Sequence, residues 1–137
     1  MSASRSVLLV SLGATAPGEA LLAGVERLRA DGAAVHLVSR VAPTAPLAAA
    51  LDGRTAVGRP HGGPLAAGKL RVDPHRLPGA VRVALGRRTR AAVRAATALV
   101  AVDAAALPAV WLAARVNRSA IAVNGLPAAL TRLEVLP

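Results

Sequence analysis

Seven acidic residues and three histidines are few for 137 positions, so each group able to do acid–base chemistry can be weighed individually. Asp103 closes the apolar run Ala98-Leu-Val-Ala-Val-Asp103, far from any other acid in sequence. A lone carboxylate at the end of a buried strand can orient a sugar or ribose hydroxyl, or serve as a general base. It can equally cap the helix that follows. Among the histidines, His36 falls mid-strand, where a core or face role is the simpler reading. His61 and His75 fall in a glycine- and proline-rich stretch, and His61 joins Asp103 as a candidate base. Ser11, His61 and Asp103 make a catalytic triad only on paper, because no nucleophile elbow surrounds the serine. No acids or histidines have metal-ligand spacing, so neither a metal site nor a cofactor is expected. The absence of cysteine excludes disulfides, thiolate nucleophiles and cysteine-based zinc sites.

A second set of residues suits anions. Gly13-Ala-Thr-Ala-Pro-Gly18 follows the first apolar run and precedes a helical pattern, where a nucleotide-binding α/β fold carries its phosphate turn. It departs from G-x-G-x-x-G and lacks the Gly-Lys-Ser/Thr of a P-loop. Gly13, Ala14 and Thr15 form either an anion cradle, with Arg40 at the mouth of the second strand, or a plain strand-to-helix turn. The chain carries 17 basic residues against seven acidic ones, a formal charge of +10, and all but one of the basic residues are arginine. Compositional bias of a GC-rich genome accounts for much of this. Arg82, Arg87, Arg90 and Arg94 nevertheless share one side of a helical pattern. They form either a solvated face or a contact for an anionic surface such as acidic lipid. Nucleic acid is disfavoured as a partner, since no helix-turn-helix, zinc-finger or RNP signature accompanies them.

The elements that must position these groups follow from periodicity. Val7–Leu12 and Ala34–Ser39 are continuous apolar runs of buried-strand type. The segment between them is amphipathic and ends at Gly32, which makes a right-handed βαβ unit. Pro43–Leu51 predicts a short helix. Residues 53–79 hold six glycines and four prolines and predict a long loop. Residues 80–96 predict a basic amphipathic helix, 98–103 a third strand ending on Asp103, 105–116 a helix and 120–123 a fourth strand. Leu126–Pro137 shows no decisive pattern. Trp111 is either a core anchor or a docking residue. The expectation is one three-layer, Rossmann-like α/β domain with a parallel sheet of about four to five strands. The first strand should be central, so that Gly13 and Asp103 become neighbours. No window is long and apolar enough for a membrane span, and a cytoplasmic protein, at most peripheral to the inner membrane face, is expected.

The stretch Arg87–Leu130, with its arginine-rich helix, Ala96-Thr-Ala-Leu-Val-Ala-Val-Asp103 and Ala106-Leu-Pro-Ala-Val-Trp-Leu-Ala-Ala-Arg115, resembles the N-terminal lobe of GT-B-type glycosyltransferases. The resemblance implies that the loop after Val7–Gly13 helps form an acceptor side. Such enzymes bind the nucleotide-sugar mainly through a second lobe, for which 137 residues leave no room. The implied protein is therefore an acceptor-side lobe that works with a separate donor-binding partner. Two alternatives remain: a non-catalytic interaction or homo-oligomerisation module, and a small nucleotide- or phosphate-binding regulator.

Overall fold

A computed structural model describes residues 5–13, 18–57 and 87–135, apart from the side chains of Arg87, Arg88, Glu134 and Val135. The strands are β1 (Ser6–Ser11), β2 (Ala34–Ser39), β3 (Gly53–Ala56), β4 (Ala98–Ala101) and β5 (Ile121–Asn124). The helices are α1 (Glu19–Ala30), α2 (Ala45–Ala50), α3 (Arg87–Ala95), α4 (Leu107–Val116) and α5 (Leu126–Val135). A 3-10 turn at Ala104–Ala106 leads into α4. All neighbouring strands pair in parallel, in the order β3-β2-β1-β4-β5. The chain moves to one side of β1 through β2 and β3, then returns to its other side through β4 and β5. The order therefore reverses between β1 and β4, the place where ligand crevices open in such sheets.

Both faces of the sheet are covered, so the central strands are apolar throughout rather than alternating. Val7 and Leu9 of β1, with Val35 and Leu37 of β2, pack on Leu21, Val25 and Leu28 of α1, Leu47 of α2 and Leu126, Ala129 and Leu133 of α5. Leu8, Val10, Val38 and Leu99 point the other way, onto Val93 of α3 and Ala109, Val110 and Ala113 of α4. Helix α1 has Glu19 in its first turn and Arg27 and Arg29 in its last, matching the helix dipole. It stops at Gly32, whose φ of +88° only glycine adopts cheaply. The Gly32 and Ala33 amides donate back to the Arg29 and Leu28 carbonyls in a Schellman arrangement. Pro46 and Pro108 start α2 and α4, where no intrahelical N–H is needed.

Two boundaries are corrected, and two readings that the sequence left open are decided. The predicted loop at 53–79 begins with β3, an edge strand in which Gly53 and Thr55 are half-buried and Arg54 and Ala56 exposed. Glycine-rich composition hides a four-residue strand whose pairing is supplied by β2. The third apolar strand ends at Ala101 rather than Asp103, because Val102 and Asp103 already turn toward the 3-10 segment. The tail from Leu126 forms α5, which recrosses the sheet to α1 and seats Leu126 against Gly24. Trp111 is 59% exposed and anchors no core. The start of the predicted 80–96 helix and most of the 53–79 segment lie outside the described residues, and the described helix runs from Arg87.

Candidate functional site at the strand-order reversal

Asp103 lies two residues beyond β4, directly across from the end of β1, and its carboxylate joins the two strands. Oδ2 accepts from the Ser11 hydroxyl at 2.8 Å and from the Gly13 amide at 3.1 Å. Oδ1 accepts from the Leu12 amide at 3.2 Å and from the Ala106 amide at 3.1 Å. Four donors thus fill the roughly four lone-pair positions of one ionised carboxylate. The Ala106 bond makes Asp103 the cap of the 3-10 turn. The other three bonds pin the exit of β1. Gly13 leaves room for this approach, since a Cβ at that position would lie a tight 3.0 Å from Oδ2.

The structure brings Asp103 and Gly13 together and adds Ser11 between them. The Ser11 hydroxyl donates straight to the carboxylate, whereas a triad would set an imidazole between the two. Arg40 follows β2 directly. Its amide donates to the Ser11 carbonyl at 3.0 Å and its side chain is exposed, at the same rim as the Asp103 bridge. Ala14, Thr15, His61 and Arg82 lie outside the described residues. Arg87 belongs to α3, and Arg90 and Arg94 are exposed on that helix. Among the described residues no three acids or histidines gather as metal ligands.

Two polar positions escaped the sequence reading. Ser39, paired in register with Ser11, is fully buried, and its Oγ has no hydrogen-bond partner among the described residues. Such buried orphans are uncommon and costly. Asn117 directly follows α4 as its C-terminal cap. Its Nδ2 also donates to the carbonyls of Val93, Arg94 and Ala96 at 2.7, 3.2 and 3.0 Å, closing the C-terminus of α3 from a neighbouring helix. Nothing local in sequence marks that partner. A signal for Ser39 did exist, because it is a hydroxyl at the end of an otherwise apolar run.

His36 faces the α3/α4 side from β2, and its Nε2 is 2.9 Å from Thr55 Oγ1. Partial burial lowers its pKa, since desolvation disfavours the imidazolium. It sits in the sheet away from the crevice rim, which matches a face role.

The electrostatics of the rim bear on its ligand. In dinucleotide-binding folds the amides after the first strand face a pyrophosphate. Here the Leu12 and Gly13 amides face a carboxylate belonging to the protein itself. The described start of the turn therefore meets a phosphate with a carboxylate in place of two free amides, whereas a neutral, hydroxyl-rich molecule meets no such repulsion there. No family model, curated protein or solved structure matches the chain.

Proposed function

We propose that this chain is a glycosyltransferase-like, acceptor-side Rossmann lobe that works with a separate donor-binding partner. The observation that carries the reading is the Asp103 bridge, which takes up the Leu12 and Gly13 amides and leaves the β1 exit suited to a hydroxyl-bearing acceptor rather than a nucleotide phosphate. The strand order reverses at that point, which is where parallel sheets of this kind open their ligand crevices. Ser11 lies buried beneath that point with its hydroxyl on Asp103, and Arg40 supplies an exposed cation at the same rim. Asp103 acts first as a positioning residue that holds the turn. To accept a proton from an acceptor hydroxyl it must release one of its four donors, and the Ser11 hydroxyl is the donor able to rotate away. His61 is the second candidate base.

The test compares ligands on the chain alone and then adds a separate donor-binding lobe. Alkyl glycosides, as neutral acceptors, should raise the thermal midpoint, by an amount set by how far they exceed their Kd. Nucleotide-sugars and NADPH should leave it unchanged. Glycosyl transfer should appear only when a donor-binding lobe is supplied. Stabilisation of the isolated chain by nucleotides with no response to acceptors would overturn the reading and favour the phosphate-binding alternative.

The oligomerisation reading has one specific support. The free edge of β5, Ile121–Asn124, carries no charged residue, whereas the other edge strand carries Arg54. Charges on edge strands discourage sheet-to-sheet pairing between copies. Sizing of the wild type against Ala122→Lys separates this reading from a monomeric lobe.

A further inference from the structure

The surface formed by α3 and α4 stands apart from the crevice. Leu107 and Trp111, one helical turn apart on α4, are the large hydrophobic side chains that lie exposed among the described residues, at 40% and 59%. Arg115 continues the same stripe, with its guanidinium carbon 4.6 Å from the centre of the indole. The Asn117 bridge to the Arg94 carbonyl holds the end of α3 beside the end of α4, so that Arg94, Arg115 and Arg118 gather at one end of the helix pair. Arg90 lies one turn before Arg94. All four arginines are exposed, and none has a carboxylate within ion-pairing distance among the described residues. The only acid between positions 87 and 118 is Asp103, whose oxygens are already taken by four donors.

We infer that the outer face of α3 and α4 docks on an anionic lipid bilayer, with Trp111 as its interfacial anchor. Charge complementarity selects the partner class, because four exposed guanidiniums with no ion-pairing carboxylate among the described residues favour a dense anionic surface. The indole selects the bilayer within that class. An exposed Trp prefers the headgroup level, where its ring is half apolar and half wet. The convex outer faces of two helices need no matching pocket to reach that level. Arginine stems lie along apolar surface while their heads reach phosphates. This inference is independent of the proposed transfer activity, since it uses none of the crevice residues.

The chain has one tryptophan and no tyrosine or phenylalanine, so its fluorescence reports position 111 alone. The full chain is titrated with vesicles of phosphatidylcholine, with and without about one-third phosphatidylglycerol. The expected result is a blue shift, with quenching by brominated acyl chains, on the anionic vesicles only. About 1 M salt should abolish it as the Debye length contracts to about 3 Å. Each of Arg90→Gln, Arg94→Gln and Arg118→Gln should weaken partitioning about fivefold, and the triple variant about a hundredfold. Arg115 is kept so that the indole's surroundings stay constant. These side chains are exposed, so the variants should melt like the wild type. Flotation of Trp111→Ala reads the anchor without fluorescence and should fall. An unchanged emission with anionic vesicles, an equal shift with phosphatidylcholine alone, or the same shift produced by duplex nucleic acid or by protein concentration without vesicles would overturn the inference.

Discussion

The two sides of this sheet share one interior chemistry and differ outside. Beneath α1, α2 and α5, and beneath α3 and α4, the buried residues are the same small aliphatics, with no aromatic ring in either layer. On the outer surface, α1 carries Glu19 and Glu26 among its arginines, and Arg29 pairs with Asp52 at 3.3 Å. The α3/α4 surface carries arginines and one exposed indole, without a free acid among the described residues. Burial constrains volume and polarity, so the interiors converge. Solvent constrains neither, so the outer surfaces are where the chain can be shaped for partners. The Arg29–Asp52 pair, with both side chains largely in water, is worth little to stability.

If the interiors are equivalent, neighbouring truncations on opposite sides should cost the same. Leu8→Ala beneath α3 and α4, and Leu9→Ala beneath α1 and α5, should each lose about 3–4 kcal/mol in urea unfolding. Both leucines are at most 1% exposed. A difference beyond 2 kcal/mol between them would break the equivalence.

The joints that hold each pair of helices differ in kind, and the next two substitutions sharpen that. Asn117→Ala strips three carbonyls at the end of α3 of their donor and should cost about 3 kcal/mol. Hydrogen exchange should rise first in α3 while α1 stays protected. On the other side, Gly24 lets α1 approach Leu126 of α5, and a Cβ there would collide with that side chain. Gly24→Ala should cost about 1–2 kcal/mol, the overpacking being partly offset by better helix propensity. Leu126→Ala should restore much of that loss in the double variant, as measured by a mutant cycle.

The smallest effect is titratable. The pKa of folded His36 lies below its ordinary value of about 6.5, so the unfolded chain binds its proton more tightly. The associated stability is therefore complete above about pH 6.5 and falls as pH drops from there toward the folded pKa. With the ring only partly buried, the loss should stay below that of Gly24→Ala. It should disappear in His36→Gln, and persistence of the same slope in that variant would assign it to another group.

Much of the framework is readable along the chain because it rests on local rules. Continuous apolar runs mark β1, β2 and β4, Gly32 marks the end of α1, and Pro46 and Pro108 mark helix starts. β3 was hidden because four residues beside β2 need no pattern of their own once an edge is offered to them. α5 was hidden because its apolar side makes sense only against α1. At the crevice, the residue types were legible and the bonding was not. Asp103 could be named as either base or cap, but not as the acceptor of three further donors arriving from the end of β1.

Sequence alone determined the class of architecture, the apolar runs of β1, β2 and β4 and the excess of arginine, because these depend on periodicity, turn residues and composition, whereas the order of the strands came from their pairing. Tertiary structure decided that one carboxylate would bridge two strands about 90 residues apart in the chain, and that Trp111 would face water. It also decided that arginines from two helices would share one surface. Each of these is a relation between segments distant in sequence, set by parallel crossovers and by the packing they impose, and no local pattern carries it.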